Sequence, residues 1–219
     1  TGVNPTVEFR MGTHNLTLTV TDDGGKTATD SVEIKITPQT QVFYSENMDT
    51  DPGWTTEGLW QWGQPQGNGG AHGGPDPVSG YTGNNVYGFN LNGDYPSFLL
   101  ETHLTSTPID CSSYSDVSLR FRRWLGVEQP AYDHAYIRVS NDNTVWTTVW
   151  ENSQEITDAA WTPVDIDIST VASGEATVYI RFTMGTTDGG WRYCGWNIDD
   201  VLVSGFACDA SSDADSDGV

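Results

Sequence analysis

The stretch that decides the fold is Val117-Ser118-Leu119-Arg120-Phe121-Arg122-Arg123-Trp124-Leu125-Gly126. Its first half alternates apolar and polar residues, so an extended chain here has one apolar face and one charged face. The runs around Arg138 and Arg181 repeat the pattern. This alternation predicts strands with one face in a core and arginines on the outside. The carboxylates expected to pair with these arginines across the sheet are Glu128, Asp133, Asp165 and Asp167.

Residues 42–206 contain further short strand-like runs separated by turn residues, and they contain no helical pattern. Ten strands without helices predict an all-β sandwich of the jelly-roll type. The stretch from Gln64 to Asn85 is rich in Gly, Pro and Asn and predicts a long surface loop, either mobile or fixed by a ligand such as a cation. The predicted strands are 42–46, 59–63, 86–90, 97–106, 117–126, 135–140, 145–151, 163–168, 176–184 and 196–204.

The first 37 residues form a separate pattern. Leucines and a valine alternate with threonines up to Asp22, and after Asp23-Gly24-Gly25-Lys26 a second apolar alternation runs to Ile36. This predicts a β-hairpin with one buried face. Residues 38–41, which include Pro38, are expected to be a linker. The predicted organisation is therefore a hairpin unit (1–37), a linker (38–41), a sandwich (42–206) and an acidic tail (207–219).

The charge balance limits the partners. Nine Lys and Arg stand against 30 Asp and Glu, a formal charge of −21. This charge repels phosphate backbones and anionic lipid surfaces, so nucleic acid is an unexpected partner. No stretch has the length of an apolar membrane span. The carboxylate excess favours Ca²⁺ as a cofactor. The chain also begins within a pattern, so we expect a secreted or cell-surface piece of a longer protein, with its export signal upstream.

Three cysteines, Cys111, Cys194 and Cys208, fit one disulfide plus a free thiol, or a bond to another chain. Which two pair is not determined by their spacing. Because no CxxC couple is present, a zinc–thiolate site is not expected.

Several segments resemble known extracellular modules. The run from Gly12 to Gly25 resembles the last strands of PKD-type immunoglobulin-like domains. The second unit, over residues 41–206, resembles the MAM-like jelly-roll domains of bacterial secreted peptidases of the immune inhibitor A type and of cell-surface proteins. This resemblance implies a module without a catalytic centre that serves adhesion, substrate binding or domain spacing. The segments that carry it are Glu46, Trp60–Gly63, Thr107–Asp110, Arg123–Glu128, Asp133, Val139–Asp142, Trp146, Trp161 and Gly195–Val201.

The same resemblance implies a structural calcium site with Glu46, Asp49 and one of Asp199 or Asp200 as ligands. In the last predicted strand, alternation places one of the two adjacent aspartates on an apolar face unless a bulge intervenes. A buried carboxylate needs a partner, which is a basic side chain, backbone amides or a cation. The alternative to the metal site is therefore a salt bridge or a capping role.

The acidic tail contains Asp213-Ala214-Asp215-Ser216-Asp217-Gly218, which matches the opening of a D-x-D-x-D-G calcium loop. It resembles the start of thrombospondin type 3 or dockerin-like repeats, which implies Asp213, Asp215 and Asp217 as calcium ligands. The chain stops before the twelfth position of such a loop. The alternative is a disordered acidic linker.

No catalytic fingerprint is present in the sequence, and Asp133-His134 is interpreted as a pair of ordinary polar residues exposed at the start of a strand. We therefore expect a non-catalytic extracellular module for spacing, adhesion or surface assembly, stabilised by calcium. Its partners would be other domains of the same larger protein or copies of itself. The alternative is a carbohydrate-binding accessory module of a secreted hydrolase or peptidase, with Trp62 and Trp191 as the aromatic rings that contact glycans.

Overall fold

A computed structural model of the chain describes residue 9 and residues 12–208. The chain divides into two compact units, with the boundary between Gln39 and Thr40. Among the described residues, no helix combines the length and the apolar character that crossing a membrane requires.

The N-terminal unit contains two antiparallel strands, β1 (Gly12–Thr21) and β2 (Thr27–Ile36). The Asp22 carboxylate accepts the Lys26 N–H at 2.7 Å and so closes the turn between them. The predicted hairpin is present, but its predicted buried face is wrong. Leu18, Val20 and Val32 are 66%, 58% and 55% exposed, because the described residues of this unit form a single sheet of two strands with no facing layer of their own.

The C-terminal unit is an all-β sandwich, as predicted. The strands are β3 (Thr40–Glu46), β4 (Thr55–Thr56), β5 (Trp60–Gly63), β6 (Val86–Phe89), β7 (Thr102–Thr105), β8 (Tyr114–Val127), β9 (Ala135–Ser140), β10 (Thr147–Glu151), β11 (Ile156–Thr157), β12 (Thr162–Asp167), β13 (Tyr179–Met184) and β14 (Gly195–Ala207), with one short helix, α1 (Ser169–Ala172), after β12. One sheet has the order β10-β9-β13-β7-β4, and the other has the order β11-β8-β14-β6-β5, with β12 also paired to β8 and β3 to β14.

The core lies between the two sheets and contains the apolar halves of the alternating strands. On β8, Leu119 is fully buried and Phe121 is 3% exposed, whereas Arg120 faces solvent. The Phe182 ring of β13 contacts Phe121 and the buried Trp196 edge-on, with centroids 5.1 and 5.7 Å apart. Such edge-to-face contacts add to the burial of large apolar area. The period-two alternation therefore predicted the core face of the central strands correctly.

The strand boundaries differ from prediction in a few places. The predicted strand 97–106 is reduced to β7, because Phe98 has a φ of 58° and the chain is not extended before Thr102. β3 begins at Thr40, so the last two residues of the predicted linker belong to a strand. Helix α1 and the two-residue strands β4 and β11 were not predicted, because elements of two to four residues carry no periodic signal.

The long segment from Gln64 to Asn85 contains no strand and is fixed by hydrogen bonds to side chains elsewhere. The Asp94 carboxylate accepts the backbone N–H groups of Gly70 and Ala71 at 2.6 and 3.0 Å. Asn197 donates to the buried Asp76 at 2.8 Å. The segment is therefore attached to the sandwich at several points along its length.

The expected disulfide within the chain is absent, since none of the three cysteines pairs with another. Cys111 precedes β8, and its carbonyl accepts the Tyr114 N–H. Cys194 lies against Gly126 at the other end of that strand. At about 3.3 Å per residue, the twelve steps from Tyr114 to Gly126 span about 40 Å, far beyond the roughly 7 Å that a disulfide permits between Cα atoms. A bond between Cys111 and Cys194 is therefore excluded.

Candidate functional site

Asp199 is the inward-facing carboxylate of the predicted Asp199–Asp200 pair. A bulge in β14 lies between Asp199 and Leu202, and Asp199 is fully buried. Its carboxylate accepts three backbone N–H groups, from Tyr81 at 2.6 Å, Thr82 at 3.1 Å and Asp200 at 2.8 Å. Burial nevertheless raises the pKa of Asp199 to about 6. The partner of this carboxylate is therefore a set of backbone amides, one of the alternatives left open by the sequence.

The other three predicted calcium ligands lie nearby but do not form one shell. Asp200 accepts the Thr82 hydroxyl at 2.6 Å. Glu46 pairs with Val201 across β3 and β14, and burial raises the pKa of its carboxyl. The exposed Asp49 packs so closely on Gly83 that a Cβ there would overlap its carboxylate.

Among the described residues, no three of Glu46, Asp49, Asp199 and Asp200 bring ligand oxygens within 4.8 Å of one another. Calcium at this position stays a prediction. Asp213, Asp215 and Asp217 lie outside the described residues.

A different set of carboxylates does converge in the described structure. Glu128 follows the end of β8, Asp133 precedes β9, and Asp188 lies on the connection between β13 and β14. One carboxylate oxygen from each lies within 4.8 Å of the others. Glu128 is 8% exposed and Asp133 is fully buried. We call Glu128, Asp133 and Asp188 the acidic triad.

Neighbouring groups hold Asp133 firmly in this triad. The Tyr95 hydroxyl donates to one of its oxygens at 2.5 Å, and the backbone N–H of Asp188 donates to the other at 2.9 Å. The buried Asn152 side chain donates to the carbonyls of Glu128 and Asp133 at 3.0 and 3.1 Å. The triad is therefore built on a fixed backbone.

Glu128 has a less complete environment. Its Oε2 is buried and has no hydrogen-bond partner. Burial raises the pKa of the Glu128 carboxyl, and the charges of Asp133 and Asp188 act in the same direction. Burial also raises the pKa of Asp133, although the Tyr95 hydroxyl opposes this shift. Negative charge in the triad is thus only partly compensated by hydrogen-bond donors.

An aromatic surface adjoins the triad. The Trp191 ring is 53% exposed and stacks on the half-buried His72, with centroids 4.5 Å apart and planes 13° from parallel. Behind it, the His72 ring contacts the buried Tyr193 ring, with centroids 5.9 Å apart. The Tyr193 hydroxyl donates to the Glu155 carboxylate at 2.8 Å. We call Trp191, His72 and Tyr193 the aromatic ledge.

The two predicted glycan-contacting tryptophans differ in their surroundings. Trp62 is half-buried against the core, and its indole N–H donates to the Met48 carbonyl at 2.8 Å. Trp191 presents about half of its surface to solvent. The ledge therefore offers a flat exposed ring at Trp191 that Trp62 does not match.

Sequence reasoning missed the triad. The sequence predicts an exposed polar residue at Asp133, yet its side chain is fully buried. Glu128 and Asp133 were also expected to answer arginines, whereas the structure turns them toward each other and Asp188. The available signal was the short spacing of two carboxylates that flank the connection between β8 and β9. The expected partner of Arg120 is confirmed, since Asp165 lies 2.8 Å away.

Comparisons with known proteins give limited matches. No protein-family model matches the chain. Bacillopeptidase F of Bacillus subtilis (strain 168) is 27% identical over 190 residues, which are 84% of this chain and 12% of that protein. The chain thus spans about an eighth of the length of this curated relative.

Two solved structures illustrate the likenesses in shape. The K1 cleaved adhesin domain of Lys-gingipain from Porphyromonas gingivalis W83 has a TM-score of 0.46 at 15% identity, over 75% of this chain and 97% of that one. The CBM22-1 xylan-binding domain of Xyn10C from Paenibacillus barcinonensis has a TM-score of 0.46 at 11% identity, over 80% and 100%. The sandwich assignment rests on the strand pairings of the chain itself, and the MAM-like and PKD-type resemblances are not confirmed.

Proposed function

We propose that the chain is a non-catalytic accessory segment of a longer extracellular protein and that its sandwich unit binds glycans on the aromatic ledge. The observation that carries this proposal is the exposed Trp191 ring stacked flat on His72. Sugar rings present apolar C–H faces that stack on such aromatic surfaces, while polar groups at the edge receive their hydroxyls.

Hydrogen bonds fix the segments that carry Trp191 and His72, which favours binding. The loop that leads to Trp191 is attached through the Asp188 N–H to buried Asp133, and the Gly190 N–H donates to the Asp188 carboxylate at 2.5 Å. His72 is tied to the same segment, because its backbone N–H donates to the Arg192 backbone carbonyl at 3.2 Å. A ring held in one orientation loses less conformational entropy when a ligand stacks on it.

Three observations support a non-catalytic accessory role. The sequence contains no catalytic fingerprint, and the buried Asp133 and Asp199 are engaged by donors of the protein itself. The similarity to bacillopeptidase F, a peptidase by name, spans most of this chain but a small part of that protein. This pattern suits a module carried beside other domains. The acidic composition suits a secreted or cell-surface location.

The proposal is tested by titrating the chain with xylohexaose, cellohexaose, chitohexaose and soluble peptidoglycan fragments, monitored by isothermal calorimetry. Trp191→Ala should weaken binding at least ten-fold, because the stacking surface is removed, and the melting temperature should stay nearly constant. Trp146→Ala, which removes a half-buried indole that stacks on Arg181 of β13, is the control and should bind normally. Absence of binding across a broad glycan array, or loss in the control but not in Trp191→Ala, would refute the proposal.

A second candidate function, spacing or assembly of copies, is favoured by the N-terminal hairpin. Its exposed Leu18, Val20 and Val32 form an apolar stripe that a second copy could cover. Sedimentation of the wild type and of a Leu18→Thr, Val20→Thr variant distinguishes the two functions. Association that is lost in the variant, without any glycan binding, would favour assembly.

A further inference from the structure

We propose that the acidic triad is a divalent-cation site for Ca²⁺, which joins the loop bearing Trp191 to the ends of β8 and β9. This site is distinct from the one predicted at Glu46, Asp49 and the Asp199–Asp200 pair. It does not depend on glycan binding.

The spacing of the three carboxylates suits a shared ion. Their oxygens come from three separate segments and lie within 4.8 Å of one another. Ca²⁺ binds oxygens at about 2.3–2.6 Å, so two ligands on opposite sides of one ion are about 5 Å apart. The three oxygens therefore fit around a common centre without rearrangement of the backbone.

The second and independent observation is the unpartnered oxygen of Glu128. Its side chain is more than nine-tenths buried, and Oε2 has no donor within hydrogen-bond distance. A buried acceptor without a partner costs free energy, and a charged one costs more. Both oxygens of Asp133 have donors. Glu128 therefore supplies an open ligand at a fixed position.

Among residues 12–208, no cationic side chain forms an ion pair with the triad. The ion pairs found among residues 12–208 join Arg120 with Asp165, Arg123 with Asp158, and Arg138 with Glu101. None of these arginines reaches the triad. The compensating charge is therefore expected from outside the chain.

The ligand set selects the kind of cation. All three ligands are carboxylate oxygens, whereas Zn²⁺ prefers imidazole and thiolate ligands. Mg²⁺ requires near-ideal octahedral geometry and keeps several waters, but Ca²⁺ tolerates irregular oxygen shells. Ca²⁺ is therefore the ion that the triad fits best.

Binding at the triad would act on the aromatic ledge. The backbone of Trp191 lies beside the Glu128 carboxylate, and Asp188 lies three residues before Trp191. A cation that draws Glu128 and Asp188 together restrains both ends of this short segment. The ledge would then be more rigid with Ca²⁺ than without it.

The test uses the full chain with Asp213→Asn, Asp215→Asn and Asp217→Asn, so that the tail does not contribute. After removal of metal with EDTA, Ca²⁺ is titrated by calorimetry, and Tb³⁺ luminescence sensitised by nearby aromatic rings reports the same site. Calcium at 100 times its Kd should raise the melting temperature by about 5–10 °C. Glu128→Gln should weaken Ca²⁺ binding at least ten-fold.

Two controls keep the outcome clear. Glu128→Gln removes a buried charge without changing shape, so its metal-free form should be at least as stable as the parent. Glu46→Gln with Asp49→Asn, which alters the separately predicted site, should leave Ca²⁺ binding at the triad intact. A melting temperature insensitive to Ca²⁺, or Ca²⁺ binding that survives Glu128→Gln and is lost in the Glu46 and Asp49 variant, would overturn the proposal. Trp191→Ala should retain Ca²⁺ binding, which separates this site from the glycan proposal.

Discussion

Replacement of Asp76 by Asn should stabilise the protein above neutral pH. Asp76 lies in the long segment between β5 and β6 and is 2% exposed. One of its oxygens accepts the Asn197 side-chain N–H at 2.8 Å, and the other is buried without a partner. Burial raises the pKa of Asp76 to about 7, although the Asn197 hydrogen bond opposes the shift. The ionised form is therefore poorly accommodated in the native protein.

The magnitude follows from the size of this shift. A rise from 3.8 to about 7 is about 3 pH units, or about 4 kcal/mol of preference for the protonated form. The native state keeps this proton while the unfolded chain has lost it. Because the folded pKa is the higher one, the contribution to stability is complete below about pH 4 and is lost as pH rises to about 7. Over this range, the contribution of Asp76 to the free energy of unfolding falls by about 1.4 kcal/mol per pH unit.

The assay is urea unfolding of the wild type and Asp76→Asn from pH 4.5 to 8 in the presence of EDTA. The variant keeps the contact with Asn197 and has no proton to lose. The free-energy difference in favour of the variant should therefore grow by about 1.4 kcal/mol per pH unit and level off near pH 7. Other buried carboxyls, such as Asp199, cancel in this difference. A difference that is flat between pH 5 and pH 7.5 would refute the reasoning.

Two further substitutions test a carboxyl whose pKa is lowered and an ion pair that is buried. The backbone N–H groups of Val145 and Thr144 hold the pKa of Asp142 well below its usual range, so Asp142→Asn should lower the melting temperature at pH 7, and its deficit should shrink as pH falls below 4. Asp158→Ala should lower the free energy of unfolding in urea by about 3–5 kcal/mol. It leaves Arg123, whose side chain is 15% exposed, without its ion-pair partner, and it removes the acceptor of the Leu125 N–H. The matched control is Asp165→Ala, which breaks the ion pair with Arg120, in which both side chains are more than half exposed. It should lower the free energy of unfolding by less than about 1 kcal/mol. Equal losses of stability in the two variants would contradict the burial argument.

The fold was largely predictable because its signal is local. The alternation on β8, β9 and β13 depends on neighbouring residues and identifies the core face directly. The Arg120–Asp165 contact followed from the same alternation, since cross-strand neighbours lie on one face. The exposed hairpin shows the limit of this signal. Alternation states which face is apolar, but another layer must be present to bury it.

The site was less predictable because its contacts are distant in sequence. The inward carboxylate of the last strand was expected, and its need for a partner was clear. The donors are Tyr81 and Thr82, which lie 118 and 117 residues away from Asp199. Likewise, Asp188 reaches Asp133 across 55 residues. No periodic pattern encodes such pairings, so the choice among amide, arginine and cation could not be made from the chain alone.

The acidic excess that favours calcium is also used in another way by this protein. Asp94, Asp142 and Asp199 each accept backbone N–H groups from a loop, so these carboxylates hold loops in place through donors of the protein itself. Asp76 and Glu128 differ, since each has a buried oxygen without a donor. Asp76 faces an amide and can be neutralised by a proton. Glu128 faces two more carboxylates, whose combined charge a single proton does not balance. If this distinction holds, Ca²⁺ should shift the stability of Asp76→Asn as much as that of the wild type and should leave Glu128→Gln nearly unchanged.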